Sequence, residues 1–196
     1  MTVSMICDEL EQSIKVKRSI ISDRHLIEQI EHLAMDCVTC LKAGGKVIFA
    51  GNGGSFGDAQ HLSAEFVSRF MFDRAPLASI VLGANSSAIS AVGNDYGYEQ
   101  VFARELEALA DTRDIFIPIS TSGNSPNICA AVEVANAAGL GVWGLTGRGG
   151  GRLRNLCDCV LVPSTETPRI QEMHIVLGHI VCGLVERAIF PGVGKS

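Results

Sequence analysis

The chain has 196 residues, of which 47% are hydrophobic and 19% charged, and its formal net charge is −5. This length and balance exclude a disordered chain and favour one globular domain, residues 1–196, with a sizeable buried core. The acidic balance and the lack of a Lys/Arg-rich run exclude the electrostatic footprint of a protein that binds nucleic acid or an anionic membrane.

The predicted elements alternate along the chain. Two helices, at 2–19 and 23–42, come first, and we expect this N-terminal part, residues 1–43, to pack between subunits. Residues 44–196 then form an α/β core with a long C-terminal helix. The strands are predicted at 46–50, 78–82, 114–119, 141–146 and 159–162. The helices of the core are predicted at 57–70, 87–92, 98–110, 126–138, 151–156 and 168–190.

This alternation predicts a parallel five-stranded sheet with helices on both faces, a three-layer αβα sandwich. Ligands of such sheets bind at the carboxyl ends of the strands. Two loops rich in glycine and hydroxyl groups follow strands there: residues 51–55 (GNGGS) and residues 120–125 (STSGNS). Backbone N–H groups at a helix start and hydroxyl groups bind anions, so the two loops together predict phosphate binding. Neither loop has the pattern of a dinucleotide or nucleoside-triphosphate site, which argues against NAD and ATP.

The cysteines, the N-terminus and the composition indicate where the protein is located in the cell and whether it forms oligomers. Seven cysteines without a paired pattern are typical of a reducing compartment. The N-terminus lacks the pattern of a secretory signal, and the longest apolar run, 175–190, is too short to span a bilayer. Cys37 and Cys40 have the spacing of zinc ligands, but the absence of a second Cys/His pair nearby favours small buried side chains. We therefore expect a soluble cytoplasmic protein, and the low charged fraction indicates a homo-oligomer.

Polar side chains that could take part in chemistry occur on two predicted helices. His61 and Glu65 are four residues apart after the first loop and therefore share one helix face. Gln171, His174 and His179 lie within the apolar last helix, where buried polar groups need partners. Each group also has a purely structural alternative: a solvated pair for His61 and Glu65, and a hydrogen bond to a carbonyl for a single histidine.

The chain resembles bacterial phosphoheptose isomerases, within the sugar isomerase (SIS) domain superfamily, through five segments: GNGGSFGDAQHLSAEF, GNDYGYE, STSGNSPN, TGRGGG and TPRIQEMHI. The resemblance covers nearly the whole chain. It implies an aldose–ketose isomerase that converts sedoheptulose 7-phosphate to D-glycero-D-manno-heptose 7-phosphate, the first step towards activated heptose for surface glycans such as lipopolysaccharide or capsule. It also implies one zinc ion per subunit and a homotetramer.

The resemblance further implies roles for individual side chains. Glu65 and His179 match the acid–base pair, and isomerisation through an enediol needs a base, an acid and charge stabilisation. Whether Glu65 serves mainly as base or as ligand stays open. The implied metal ligands are His61, Glu65, Gln171 and His179. The implied substrate contacts are Asn52, Gly53, Gly54, Ser55, Glu65, Asn94, Asp95, Ser120, Thr121, Ser122, Ser125 and Gln171.

The sequence departs from the usual family pattern at two places, and two of the implied metal ligands are in geometric conflict. Phe56-Gly57 replaces the usual pair of alanines, and residues 85–87 (NSS) replace Asp-Thr-Ser, which leaves the exact heptose open. Gln171 and His179 would lie about 12 Å apart along one regular helix, too far for one metal ion. Either that helix is irregular or two subunits share a site at their interface, and we favour the shared site.

Two other functions stay open. A non-catalytic SIS protein, of the kind that binds the bacterial replication initiator, shares the fold and the loops but has no need of Glu65 and His179. An isomerase of another sugar phosphate, such as a pentose or hexulose phosphate, would use the same chemistry, and only substrate profiling separates it. Other divalent ions also accept the ligands that zinc accepts.

Overall fold

The computed structural model describes residues 2–193, so Met1 and residues 194–196 of the predicted domain lie outside the described residues. The helices are α1 (Thr2–Ser22), α2 (Arg24–Lys42), α3 (Gly54–Val67), α4 (Ser86–Tyr96), α5 (Val101–Leu109), α6 (Pro126–Ala137) and α7 (Thr167–Ile189). The strands are β1 (Val47–Gly51), β2 (Ser79–Val81), β3 (Ile115–Ile119), β4 (Gly141–Gly147) and β5 (Asp158–Val162). Short 3₁₀ turns occupy Tyr98–Gln100 and Leu153–Asn155.

The strands form a single five-stranded sheet in the order β2-β1-β3-β4-β5. Every pairing is parallel, with Val47 of β1 opposite Ser79 on one side and Ile115 on the other. Each strand is connected to the next through helical segments, as parallel pairing requires. The predicted parallel α/β fold is confirmed, and the strands end at one edge, where both loops lie.

Successive side chains of β1 enter two different hydrophobic clusters. Val47 and Phe49 pack with α2, α3 and α7, whereas Ile48 and Ala50 pack with α5 and α6. This alternation follows from the two-residue period of a strand and buries both faces of the sheet. The predicted three-layer arrangement is therefore confirmed.

The helix after the first loop differs from its prediction at both ends. It begins at Gly54, three residues early, because Gly53 has a φ of 55° and turns the chain directly into the helix. It ends at Val67, three residues early, because Glu186 accepts hydrogen bonds from the next backbone segment and holds it out of the helix. The shift brings the start of α3 into the loop itself.

Two further segments differ. The helix predicted at 87–92 extends to Tyr96, and its N-cap is Asn85, whose side chain accepts hydrogen bonds from the backbone of Ser87 and the following residue. Asparagine and aspartate both cap helices well, so the departure at Asn85 preserves this local structure. The helix predicted at 151–156 shortens to the 3₁₀ turn Leu153–Asn155.

The two cysteines with zinc-like spacing lie in the core. Cys37 and Cys40 are buried on α2, as expected for small apolar side chains. Burial raises the pKa of the Cys40 thiol to about 11, which keeps the thiol protonated at neutral pH. Among the helices that the structure describes, none combines the length and apolar character needed to cross a bilayer.

Candidate active site

The first loop joins β1 to α3 and has little room for side chains. A side chain at Gly51 would overlap the backbone of Ser55, and one at Gly54 would overlap the amide of Gln171. Gly53 supplies the positive φ that directs the chain into α3. The N-terminus of α3 therefore presents accessible backbone next to Gln171, where an anion would meet the positive end of the helix dipole.

The second loop, residues 120–125, is held by its own hydroxyl groups and by a neighbouring glycine segment. The hydroxyl oxygens of Ser120 and Ser125 lie 3.0 Å apart. Gly123 has a φ of 66° and packs so closely against Gly150 that any side chain would overlap the Gly150 carbonyl. The glycine-rich segment after β4 therefore supports the second loop, and its glycines serve close backbone packing.

The predicted Asn-Asp pair lies on the last turn of α4. Asn94 and Asp95 are exposed, and the Asn94 amide donates to the Asp95 carboxylate at 2.7 Å. Shortly after them, the Tyr98 hydroxyl donates to the Asn52 Oδ1 of the first loop at 3.1 Å. This contact brings the segment that carries the pair beside the first loop.

Helices α3 and α7 bring three of the predicted metal ligands together. His61 and His179 approach through their Nε2 atoms at 2.9 Å, and His61 Nε2 lies 3.3 Å from Glu65 Oε1. The two helices meet closely because residue 178 is a glycine, and a side chain there would overlap Leu62. The cluster contains the two residues that match the acid–base pair.

The donor set of this cluster fits a divalent metal ion. Two imidazole nitrogens and one carboxylate oxygen lie within 4.8 Å of one another. The side chains of His61 and Glu65 are 51% and 22% exposed, so the cluster is open to solvent. Three such ligands with an accessible side are the arrangement of catalytic zinc sites. These three residues therefore fit the zinc ion that the resemblance implies.

A buried ion pair holds the cluster in place. The ring of Phe70 stacks on the imidazole of His179, with centroids 5.3 Å apart and planes at 23°. The Phe70 backbone N–H donates to Glu186 at 2.9 Å, and Arg74 donates to the same carboxylate at 3.0 Å. Arg74 also donates to the backbone carbonyl of Glu65 at 2.7 Å. The pair thus connects the end of α3, which carries Glu65, to the ring that packs on His179.

Gln171 lies apart from the cluster. Its side chain contacts Gly54 in the first loop of the same chain. Helix α7 is continuous from Thr167 to Ile189, so the eight residues between Gln171 and His179 correspond to about 12 Å along its axis. The structure therefore brings together three of the four predicted ligands and leaves Gln171 at the phosphate-type loop.

His174 is buried on α7 and takes no part in the cluster. Neither of its ring nitrogens has a hydrogen-bond partner among the described residues. Burial lowers the pKa of His174 to about 4. The imidazole is therefore neutral at physiological pH.

We expect His174 to make the protein less stable in mild acid. Because its pKa is lower in the folded chain, the unfolded chain binds the proton first as the pH falls from about 6.5 towards 4. The free energy of unfolding should therefore fall through this window, by on the order of 3 kcal/mol. Urea unfolding of wild type and His174→Leu from pH 8 to pH 4 checks this, and parallel pH profiles would contradict it.

Sequence reasoning missed Arg74, Glu186 and Phe70. A charged residue inside the apolar last helix was a visible signal for Glu186. Its partner Arg74 is 112 residues away in the chain, so only the fold reveals the pair. The stacking of Phe70 on His179 follows from that pair and has no separate signal in the sequence.

Comparisons of sequence and structure show the family of this chain. A sequence model of the SIS domain family matches residues 12–147. The chain is 52% identical to the phosphoheptose isomerase of Aneurinibacillus thermoaerophilus, over 94% of both chains, and 48% identical to that of Burkholderia pseudomallei strain 1710b, over 96% of both chains. A solved structure of the phosphoheptose isomerase of Francisella tularensis is similar with a TM-score of 0.91 at 37% identity, covering 95% of this chain and 99% of that one. The chain therefore belongs to the phosphoheptose isomerase family of SIS domain proteins.

Proposed function

We propose that this protein interconverts sedoheptulose 7-phosphate and D-glycero-D-manno-heptose 7-phosphate. The observation that supports this most directly is the pairing of Glu65 with His179 across α3 and α7, in a member of the phosphoheptose isomerase family. A binding protein without catalysis would have no need of this pair. The reaction would be the first step of activated heptose synthesis for a surface glycan such as lipopolysaccharide or capsule.

The two loops would bind the phosphate, and the cluster would carry out the proton transfers. The phosphate would bind at the helix start of the first loop and at the hydroxyl groups of the second, without a lysine. Glu65 would carry the proton between C1 and C2 of the sugar, because its carboxylate can accept and return a proton within the cleft. His179 would exchange protons with the oxygens on these carbons, held in orientation by Phe70.

We further propose zinc, one ion per subunit, held by His61, Glu65 and His179, with Gln171 as a fourth ligand. The mixed nitrogen and carboxylate donor set supports this assignment. When bound, the ion would supply Lewis-acid polarisation of the carbonyl and hydroxyl oxygens. Glu65 is thus either a ligand that also moves protons or mainly a base, and its substitution separates these roles.

A homotetramer is supported by the apolar surface of α1, α2 and α7. These helices border a groove of about 460 Å³. Ile21 of α1 is 75% exposed and Ile180 of α7 is 46% exposed. Contiguous apolar surface of this kind is typical of a subunit interface. We place the assembly in the cytoplasm, which its unpaired cysteines support.

We propose that each active site is shared between subunits. The structure supports this because one chain places Gln171 at its first loop and Glu65 and His179 in a separate cluster. The loops and Gln171 of one subunit would then face the cluster of another. Gln171 and His179 of one site would therefore come from different subunits, since Glu65 and His179 already lie together within one chain.

Mixed oligomers are expected to recover activity that each variant lacks. Gln171→Ala and His179→Ala chains, co-expressed with different affinity tags, would form some sites with an intact loop from one chain and an intact cluster from the other. Random mixing should restore about one quarter of wild-type kcat per site. Activity of the doubly tagged fraction measures this, and mixed oligomers as inactive as the separate variants would contradict a shared site.

The proposed reaction is tested by NMR of the purified protein with sedoheptulose 7-phosphate in D₂O. Formation of the aldoheptose 7-phosphate with deuterium at C2 would support it. Pentose and hexulose phosphates are tested in parallel, because the same acid–base chemistry would serve them. Absence of turnover with the heptose, in protein supplied with zinc, would rule out the assignment.

A further inference from the structure

Asn52 of the first loop forms a reciprocal amide pair with Asn127 on the first turn of α6. The Asn52 Nδ2 donates to the Asn127 Oδ1 at 2.9 Å, and the Asn127 Nδ2 donates to the Asn52 Oδ1 at 2.9 Å. Asn127 is 3% exposed, whereas Asn52 is half-buried at the edge of the loop. A buried side chain therefore bonds, through both of its polar atoms, to a residue that faces the substrate loop.

A backbone group fixes the direction of this pair. The Oδ1 of Asn127 also accepts from the backbone N–H of Ile128 at 3.0 Å. A backbone N–H can only donate, so the atom facing it must be the oxygen of the amide. This sets the orientation of Asn127, and the reciprocal pair then sets the orientation of Asn52. An exposed asparagine without such partners would rotate freely between two orientations.

Tyr98 completes the arrangement. Its hydroxyl donates to the Asn52 Oδ1 at 3.1 Å, so this oxygen receives two hydrogen bonds. One Nδ2 hydrogen of Asn52 is used by Asn127, which leaves the second as a donor whose direction is set by the two partners. Asn52, Asn127 and Tyr98 come from the first loop, the helix after the second loop, and the segment after the Asn-Asp pair. The three segments proposed to bind the substrate thus meet at the side-chain amide of Asn52.

We propose that Asn127 is a positioning residue, which acts through Asn52 to direct one amide N–H at the bound sugar phosphate, with Tyr98 as a second support. The inference rests on the proposed function of Asn52 as a substrate contact. Donors held in place before binding lose less rotational freedom when the substrate arrives, so they lower KM more than mobile donors do. Asn127 itself is too buried to touch the substrate.

A double-mutant cycle tests this. The KM and kcat for sedoheptulose 7-phosphate are measured for Asn52→Ala, Asn127→Ala, Tyr98→Phe and the combinations with Asn52→Ala. Asn127→Ala should raise KM about 3- to 10-fold with little change in kcat, as expected for the loss of one directed hydrogen bond. In the Asn52→Ala background, neither Asn127→Ala nor Tyr98→Phe should raise KM further, since their effects pass through Asn52.

Asn136→Ala is the matched control. Asn136 lies near the other end of α6 and donates to the carbonyl of Leu156 at 2.7 Å, so this variant removes one amide hydrogen bond away from the loops. Its KM should equal that of wild type. Tyr98→Phe removes one exposed hydroxyl, so it tests the inference even where Asn127→Ala does not fold.

Three outcomes would overturn the inference. The first is a KM within twofold of wild type for Asn127→Ala or, where that variant does not fold, for Tyr98→Phe. The second is a full additional effect of either substitution in the Asn52→Ala background. The third is an unchanged KM in Asn52→Ala itself, which would also remove Asn52 from the proposed substrate contacts, while the turnover of wild type still tests the reaction separately.

Discussion

Glu65→Gln is expected to lower the kcat of the isomerase by about 10²- to 10⁴-fold, the usual contribution of a positioned general base. Glutamine has nearly the size of glutamate, so it can occupy the same place 3.3 Å from His61. Its amide cannot take a proton from carbon. The exchange of deuterium into the product should disappear together with turnover, and NMR in D₂O measures both.

Metal content separates the two roles of Glu65. If the variant binds zinc as wild type does in equilibrium dialysis and still has no turnover, the proton transfer was lost; if zinc binding is also lost, the carboxylate is a necessary ligand. Gln60→Ala, an exposed change on the same helix, serves as the control and should retain full activity. A Glu65→Gln protein with more than a tenth of wild-type kcat would contradict the role of proton carrier.

Most of the fold could be predicted because its signals are local. The buried runs at β1 and β3, each followed by a glycine or serine loop, fixed the alternation of strands and helices and hence the parallel sheet. Helix ends were less predictable, because distant groups determine them. The early end of α3 depends on Glu186, more than a hundred residues further along the chain.

The candidate site could be predicted only in part. The spacing of His61 and Glu65 placed them on one face, but their meeting with His179 depends on the close packing of α3 on α7, which no periodicity shows. The resemblance supplied the identity of these residues, and the structure supplied their proximity. Asn127 and Tyr98 lie within two of the segments that carry the resemblance, but nothing in the sequence indicated that they support Asn52, because a polar residue acts as a support only when its partner is known.

Breaking the buried ion pair is expected to have the largest effect on stability. The side chains of Arg74 and Glu186 are 2% and 1% exposed, and Glu186→Ala would leave the guanidinium charged, buried and without its carboxylate. The backbone N–H groups of Phe70 and Met71 would also lose their acceptor. The free energy of unfolding should fall by about 3–5 kcal/mol. Urea unfolding at a fixed protein concentration measures this, since assembly makes stability depend on concentration.

An exposed pair on α2 provides the control for this prediction. Arg24 and Glu28 are 2.9 Å apart, close to the 3.0 Å between Arg74 and Glu186, but the Arg24 side chain is 93% exposed, so Glu28→Ala should cost less than about 1 kcal/mol. A variant in which Glu186 and Arg74 become leucine and methionine should regain part of the lost stability, because no unpaired charge stays buried. It should nevertheless retain a lowered kcat, since Phe70 is no longer tied against His179. A Glu186→Ala protein as stable as Glu28→Ala would show that the pair does not hold this site together.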